Sequence, residues 1–275
     1  MKKVYLFLAL AIPMMASAQL LEVGSTERVA QNADAKVAAF SPTGDYLLLT
    51  NTSNQGLQRM DLATKKVTQI STADGAGYNV QVAANGKQIV YREVTLNASK
   101  SRVSNIVRHD FEANNTQVVA RKQQHLAAMT ADAERPSFSV KDQQLMITEN
   151  GVTRVFSPNG EQYSYHWAAL SPNGKKVSYY ISAVGCFVCD IDGSNIQFIA
   201  HSCYAPVWYN DNILIASDTK DNGEVILESA IVAYSLDGKK QVLTDGEQIA
   251  VFPQATAGKI AYSTSEGEIY VMNIK

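Results

Sequence analysis

The sequence predicts an all-β fold, a six-bladed β-propeller of four-stranded antiparallel blades. Three observations predict it. A turn-and-strand phrase returns six times along the chain. The copies are spaced by about 43 residues on average. Each copy is followed by a second strand-and-turn segment, so one unit reads as a four-stranded meander. Six such units account for the 257 residues from 19 to 275, which leaves no room for a second domain.

The copies begin at Phe40 (FSPTGDYLLLT), Val82 (VAANGKQIVYR), Phe138 (FSVKDQQLMIT), Leu170 (LSPNGKKVSYY), Trp208 (WYNDNILIAS) and Ala255 (ATAGKIAYST). Their turn chemistry agrees. Pro42 and Pro172 supply a fixed φ, and Gly44, Gly86, Gly174 and Gly258 stand where the chain needs positive φ. Asp142 and Asn212 take the glycine place in two copies. The second hairpins read LQRMDLATKKVTQIS, SNIVRHDFEANNTQVVA, TRVFSPNGEQY, CFVCDIDGSNIQFIA and IVAYSLDGKKQVLT; the last, EIYVMNIK, stops after one strand. The sixth unit is therefore one strand short. Ser25 to Ala30 (STERVA) has the wording of a final strand, and we expect it to pair beside Glu268–Ile274 and close the ring.

The phrases FSPTGDYLLLT, LSPNGKKVSYY, FVCDIDGSN and EIYVMNIK resemble the repeat of the TolB-like propeller family. The resemblance covers essentially all of residues 19–275. It implies the propeller fold. It does not choose among the binding modules, peptidase parts and lyases that share such rings. The amino-terminal domain that accompanies the propeller in TolB itself has no counterpart in the sequence.

The first 18 residues read as a secretory signal peptide: a basic start (Lys2, Lys3), an apolar run from Val4 to Met15, and Ala16-Ser17-Ala18 as cleavage site. We expect a periplasmic or secreted protein without a lipoprotein cysteine, with no later apolar run long enough to insert in a membrane. The formal charge is −2, or −4 without the two leader lysines, which argues against nucleic acid as a partner. A monomer is expected.

The three cysteines are Cys186, Cys189 and Cys203. The first two form a C-x-x-C on a strand, where positions three apart face opposite ways, so a shared metal is not expected. A disulfide from Cys203 to one of the other two is the expectation for an exported chain.

Propellers usually bind at the channel mouth, where the inner strands begin. Aligning the six copies puts Lys36, Tyr78, Glu134, His166, Tyr204 and Val251 in one column there. Val37, Asn79, Arg135, Trp167, Ala205 and Phe252 fall in the next. The expected binding residues are Lys36, Tyr78, Asn79, Glu134, Arg135, His166, Trp167, Tyr204 and Phe252. Rigid aromatics among a few charges suit a protein or peptide of the cell envelope, or a carbohydrate. Each of these residues also has a plainer role open to it, packing between blades or sitting in water. No G-x-S-x-G elbow is present, and the four histidines are scattered, with only His166 in the mouth columns. The expected role is non-catalytic, with no cofactor, metal or catalytic residue; a lyase or hydrolase with an unrecognised site is the alternative. Insertions at 95–105 and 121–135 project from the second unit, the latter with a short rim helix expected. The DTKDNGEVILES stretch reads as a plain turn.

Overall fold

The computed structural model describes residues 19–275 apart from 33, 124–128, 130 and 133; the expected leader lies outside the described residues. After β1 (Val23–Gln31), blade 1 is β2 (Ala35–Phe40), β3 (Tyr46–Asn51), β4 (Leu57–Asp61) and β5 (Val67–Ser71). Blade 2 is β6 (Gln81–Val82), β7 (Gln88–Leu96), β8 (Arg102–Asp110) and β9 (Asn115–Gln123). Blade 3 holds β10 (Ser137–Lys141), β11 (Gln144–Glu149) and β12 (Val152–Val155). Blade 4 is β13 (Tyr165–Leu170), β14 (Lys176–Ile181), β15 (Gly185–Asp190) and β16 (Gln197–Ala200). Blade 5 is β17 (Tyr204–Asn210), β18 (Ile213–Asp221), β19 (Ile226–Ser235) and β20 (Lys240–Val242). Blade 6 is β21 (Ala250–Thr256), β22 (Lys259–Thr264) and β23 (Glu268–Ile274), with β1 as its outer strand. All pairings are antiparallel and the fold is the expected six-bladed propeller. The described residues contain no helix, so the described part of 121–135 does not form the rim helix expected there.

The core lies between blades rather than within one. In β3 every residue from Tyr46 to Thr50 is buried. Tyr46 and Leu48 pack with Val80, Ile89 and Tyr91 of blade 2. Leu47 and Leu49 pack with Ala261, Ile269 and Val271 of blade 6. Alternate side chains of one strand thus serve opposite joints, and this is why YLLLT is continuously apolar. Blade 4 shows the same division. Val177, Tyr179, Ile181 and Cys189 face blade 3, while Tyr180 and Cys186 face blade 5.

At one end of the ring the turns after the inner strands clasp their neighbours. Thr256 Oγ1 donates to Pro42 O at 2.9 Å and Lys259 Nζ to Gly44 O at 2.7 Å. Tyr46 OH donates to Gly86 O at 2.9 Å. Ala84 N donates to Asp132 Oδ2 at 2.8 Å. Arg135 Nη2 donates to Ser171 O at 3.1 Å and Pro172 O at 3.0 Å. Asn173 N donates to Asp211 Oδ1 at 2.9 Å.

This chain of bonds corrects the alignment of the third copy. The turns Ser41–Gly44, Ala83–Gly86 and Ser171–Gly174 each close with an i to i+3 bond, and so does Asp132–Arg135. Asp132–Arg135 is therefore the inner-hairpin turn of blade 3. The expected copy, FSVKDQQLMIT, is one strand further along: β10 is the second strand of its blade, and its turn faces the opposite end, where Gln143 O accepts from Tyr165 N at 2.9 Å. The inner place of blade 3 is taken by the described residues among 129–136, which form no strand. The wording misled because PSFSVKD imitates the repeat, whereas the true turn has neither Pro nor Gly. Asp142 does adopt positive φ, in that outer turn, but Asn212 does not.

Ring closure follows the expected course. β1 pairs with β23, with Arg28 opposite Tyr270 and Ala30 opposite Ile269. Arg28 Nη1 also reaches Glu268 Oε1 at 2.5 Å. The preceding residues continue the clasp onto blade 5. Leu20 N and Leu21 N both donate to Gln241 Oε1, at 2.6 and 2.8 Å, and Leu21 is buried in the joint of blades 5 and 6. Deleting residues 19–31 leaves β23 as a bare edge and empties the Leu21 position. The expected result is loss of the single cooperative thermal transition, with larger heterogeneous species replacing the full-length chain's peak on size exclusion.

Candidate functional site

Three inner strands share one distortion at the end opposite these turns. In blade 4 the register passes from His166↔Tyr180 to Ala169↔Ser178, so two residues face one. The same two-for-one bulge lies between Tyr204 and Val207 in blade 5, and between Val251 and Gln254 in blade 6. The first bulged residue is left-handed each time: Trp167 at φ 48°, Ala205 at 50° and Phe252 at 52°. Asn79, in the same place in blade 2, has φ 52°. Bulges re-aim side chains, and glycine usually occupies this position. A bulky residue there costs about 1–2 kcal/mol. Trp167 and Phe252 are correspondingly turned out of the joints, at 44% and 39% exposure.

The mouth formed in this way opens into a cavity of about 470 Å³ along the ring. Lys36, Tyr78, Asn79, Trp167 and Phe252 line it at the mouth. Lys36 Nζ lies 4.9 Å from the Phe252 ring centre and donates to Thr52 O at 3.4 Å; burial holds its pKa below the ordinary value. Tyr78 is 40% exposed and lies under the Arg92 guanidinium, 4.2 Å from ring centre to Cζ. The DGAGYN loop that carries it is pressed onto blade 1. A Cβ on Gly77 would stand 2.0 Å from Thr50 Oγ1, so only glycine fits there.

His166 and Tyr204 stand behind the rim and do not line the cavity. Tyr204 meets Trp167 edge-on at 6.0 Å and Tyr180 at 5.2 Å. His166 Nε2 is 3.0 Å from Ser182 Oγ. Glu134 and Arg135 are not at the mouth. They belong to the turn at the far end, where Arg135 lines the same cavity and Glu134 is exposed. The shifted copy placed them wrongly. Sequence reasoning also missed Tyr180, which stands near the end of β14 against the Trp167 ring at 5.2 Å, and Ser137 and Ser139 in the cavity wall. Both serine hydroxyls are buried without a hydrogen-bond partner. Tyr180 was visible as the second tyrosine of LSPNGKKVSYY, but only the strand's parity shows which way it faces.

The cysteines are all buried free thiols, so the expected bridge from Cys203 is not formed. Cys186 does lie against Cys203 in the joint of blades 4 and 5, on the face opposite Cys189. Burial raises the Cys186 thiol well above its ordinary pKa and pushes Cys189 up to about 12, so neither is a thiolate at neutral pH. Among the described residues no three His, Cys, Asp or Glu side chains gather as a metal site; His125 lies outside them.

The fold and mouth define a propeller with a shaped central opening, and comparison with known proteins agrees on the fold alone. No family model and no curated protein matches the sequence. A putative TolB from Agrobacterium tumefaciens is similar in structure with a TM-score of 0.60 at 15% identity, over 90% of this chain and 92% of that one. TolB from Acinetobacter baumannii gives 0.58 at 14%, over 79% of this chain and 56% of that one. An oligogalacturonate lyase from Vibrio parahaemolyticus gives 0.53 at 13%, over 85% and 76%. The chain thus shares its propeller fold with these structures, which include both TolB proteins and a lyase.

Two outcomes test the site's physics. Trp167→Gly and Trp167→Ala both remove the ring, but only alanine keeps the left-handed strain. We expect the glycine variant to be the more stable of the two by about 1 kcal/mol in urea denaturation. Burial also lowers the pKa of His109 and His166. The unfolded chain then binds more protons than the fold below about pH 6.5, the ordinary histidine value. Their contribution is intact above that pH and is lost as the pH falls through the folded values. Melting temperatures from pH 7.5 to 5.5 should decline, and less steeply in a His109→Asn, His166→Asn variant.

Proposed function

We propose that this chain is an exported, non-catalytic binding module that takes a protein or peptide segment at the channel mouth. The observation that carries the reading is the left-handed residue repeated at Asn79, Trp167, Ala205 and Phe252, the last three in bulges of their inner strands. Strain of this kind has no packing benefit where the side chain is turned towards solvent, and such strain clusters where a ligand must be met. Trp167, backed by Tyr180 and Tyr204, forms a rigid aromatic wall of the cavity that Tyr78, Lys36 and Phe252 also line. Rigid rings give contact area with little loss of side-chain entropy. Export rests on the leader-like first 18 residues, and the envelope is the compartment in which a partner would be met.

A carbohydrate is the second reading. Exposed aromatic rings suit sugar faces as well as side chains, and one of the similar structures is named for a lyase of oligogalacturonate. Catalysis by this chain would need acid, base or metal-holding groups at the mouth. His166, the one histidine of the described residues on the inner strands near it, is turned to Ser182.

The test is a crosslinking pull-down from the native envelope with the wild-type chain and a Trp167→Gly, Phe252→Gly variant of matched melting temperature. A protein captured by the wild type and lost, by tenfold or more, with the variant is the expected outcome. Equal capture by both removes the mouth as the binding face. Thermal shift with oligosaccharides and no protein captured would favour the carbohydrate reading.

A further inference from the structure

Beside the mouth, blades 1 and 2 enclose a second pocket of about 300 Å³. Ser53, Asn54, Gln55, Tyr78, Arg92 and Arg102 line it. Two of them, Asn54 and Tyr78, also line the central cavity, so the pocket opens off the mouth. Its cations are placed at a cost. Arg92 is half-buried over Tyr78, and its Nε is buried with no hydrogen-bond partner. Burial holds its pKa below the ordinary value; Tyr78 opposes this, and the like charge of Arg102 adds to it more weakly.

No carboxylate of the described residues makes an ion pair with either guanidinium. Of the carboxylates nearby, one is engaged by a neighbouring hydroxyl and one stands at the pocket's exposed side. Glu93, next along the strand, accepts from Ser71 Oγ at 2.9 Å. Asp74 lines the pocket at its exposed side and makes no ion pair with either guanidinium. An unpaired, partly buried guanidinium beside another cation destabilises the free fold, and a bound anion would relieve it.

We propose that this pocket is a carboxylate subsite, in which Arg92 and Arg102 hold an acidic side chain or the C-terminal carboxylate of the peptide segment taken at the mouth. The assignment deepens the peptide reading and rests on it. The guanidinium fork matches a carboxylate through two parallel N–H donors, and the Asn54 amide and the Ser53 hydroxyl can complete its shell. The Tyr78 ring holds the Arg92 plane, so little side-chain freedom remains to be lost on binding. A ligand would then be read at two points: an apolar or aromatic group against Trp167, and a carboxylate on the opposite side of the opening.

The test follows the Arg92 Nε–Hε signal by NMR at low salt with three probes. These are a five-residue peptide with one tryptophan and two C-terminal acidic residues, its amidated Asn/Gln counterpart, and trigalacturonate. The expected result is a shifted Nε–Hε signal with the acidic peptide and affinity at least tenfold above the amide counterpart. That preference should vanish in an Arg92→Gln, Arg102→Gln variant of unchanged melting temperature. Equal affinity for the two peptides, or a preference that survives in the variant, overturns the subsite. If Trp167→Gly then abolishes that binding, the mouth reading stands without it. Binding of trigalacturonate alone, lost in the arginine variant, upholds the carboxylate subsite and overturns the peptide reading. Failure of both acidic probes to bind overturns the subsite.

Discussion

No blade of this ring can bury its own faces. A single twisted sheet exposes both sides, and here each side is covered only by the next blade. Leu47 and Leu48, adjacent in sequence, are fully buried against different neighbours. Each such side chain is worth about 1.5–3 kcal/mol when its neighbour is present and nothing when it is absent. The stability of any joint therefore depends on the ring being complete, and the ring is complete only because β1 crosses to β23. The turn-to-turn bonds from Thr256 and Lys259 through Arg135 to Asn173 brace the same circle at one end. The other end is left open for the mouth.

Most of the fold was legible in the sequence because the repeat records a geometric constraint. Positive φ after an inner strand demands Gly44, Gly86, Gly174 and Gly258, and all four adopt it. Burial on both faces demands continuous apolar runs. Closure was readable because STERVA had the wording of a missing strand. The third blade was not readable, and the reason is physical. Its inner turn, Asp132–Arg135, keeps the i to i+3 bond without proline or glycine, and anchors itself by side chains instead: Asp132 to Ala84 and Arg135 to Ser171 and Pro172. A turn held by long-range contacts leaves no local signature. The neighbouring PSFSVKD carried a signature and belonged to the second strand.

The mouth was legible as a set of positions but not as a shape. Counting columns reached Lys36, Tyr78, Asn79, Trp167 and Phe252, all of which line the opening. Nothing in the residue types announced that Trp167 and Phe252 would be left-handed, since both are poorly suited to that region. The bulge exists because the inner strands are held by their joints on either side, so the extra residue must be taken up locally. Arg92 escaped notice because it lies one strand away from the columns, and its significance comes only from what fails to surround it.

The shared sixth blade has a consequence for how the chain comes into being. Its outer strand precedes the other five blades along the chain and its inner three follow them. During synthesis β1 must wait, unpaired, while five blades form behind it, because its partner strand β23 comes after all of them. Until that strand arrives, the growing protein carries open edges at both ends of an incomplete arc, the condition in which strands pair with the wrong molecule. Loss of β23 would therefore be felt across the ring, at blade 1 as much as at blade 6, and a chain without it would be a substrate for quality control rather than a smaller propeller.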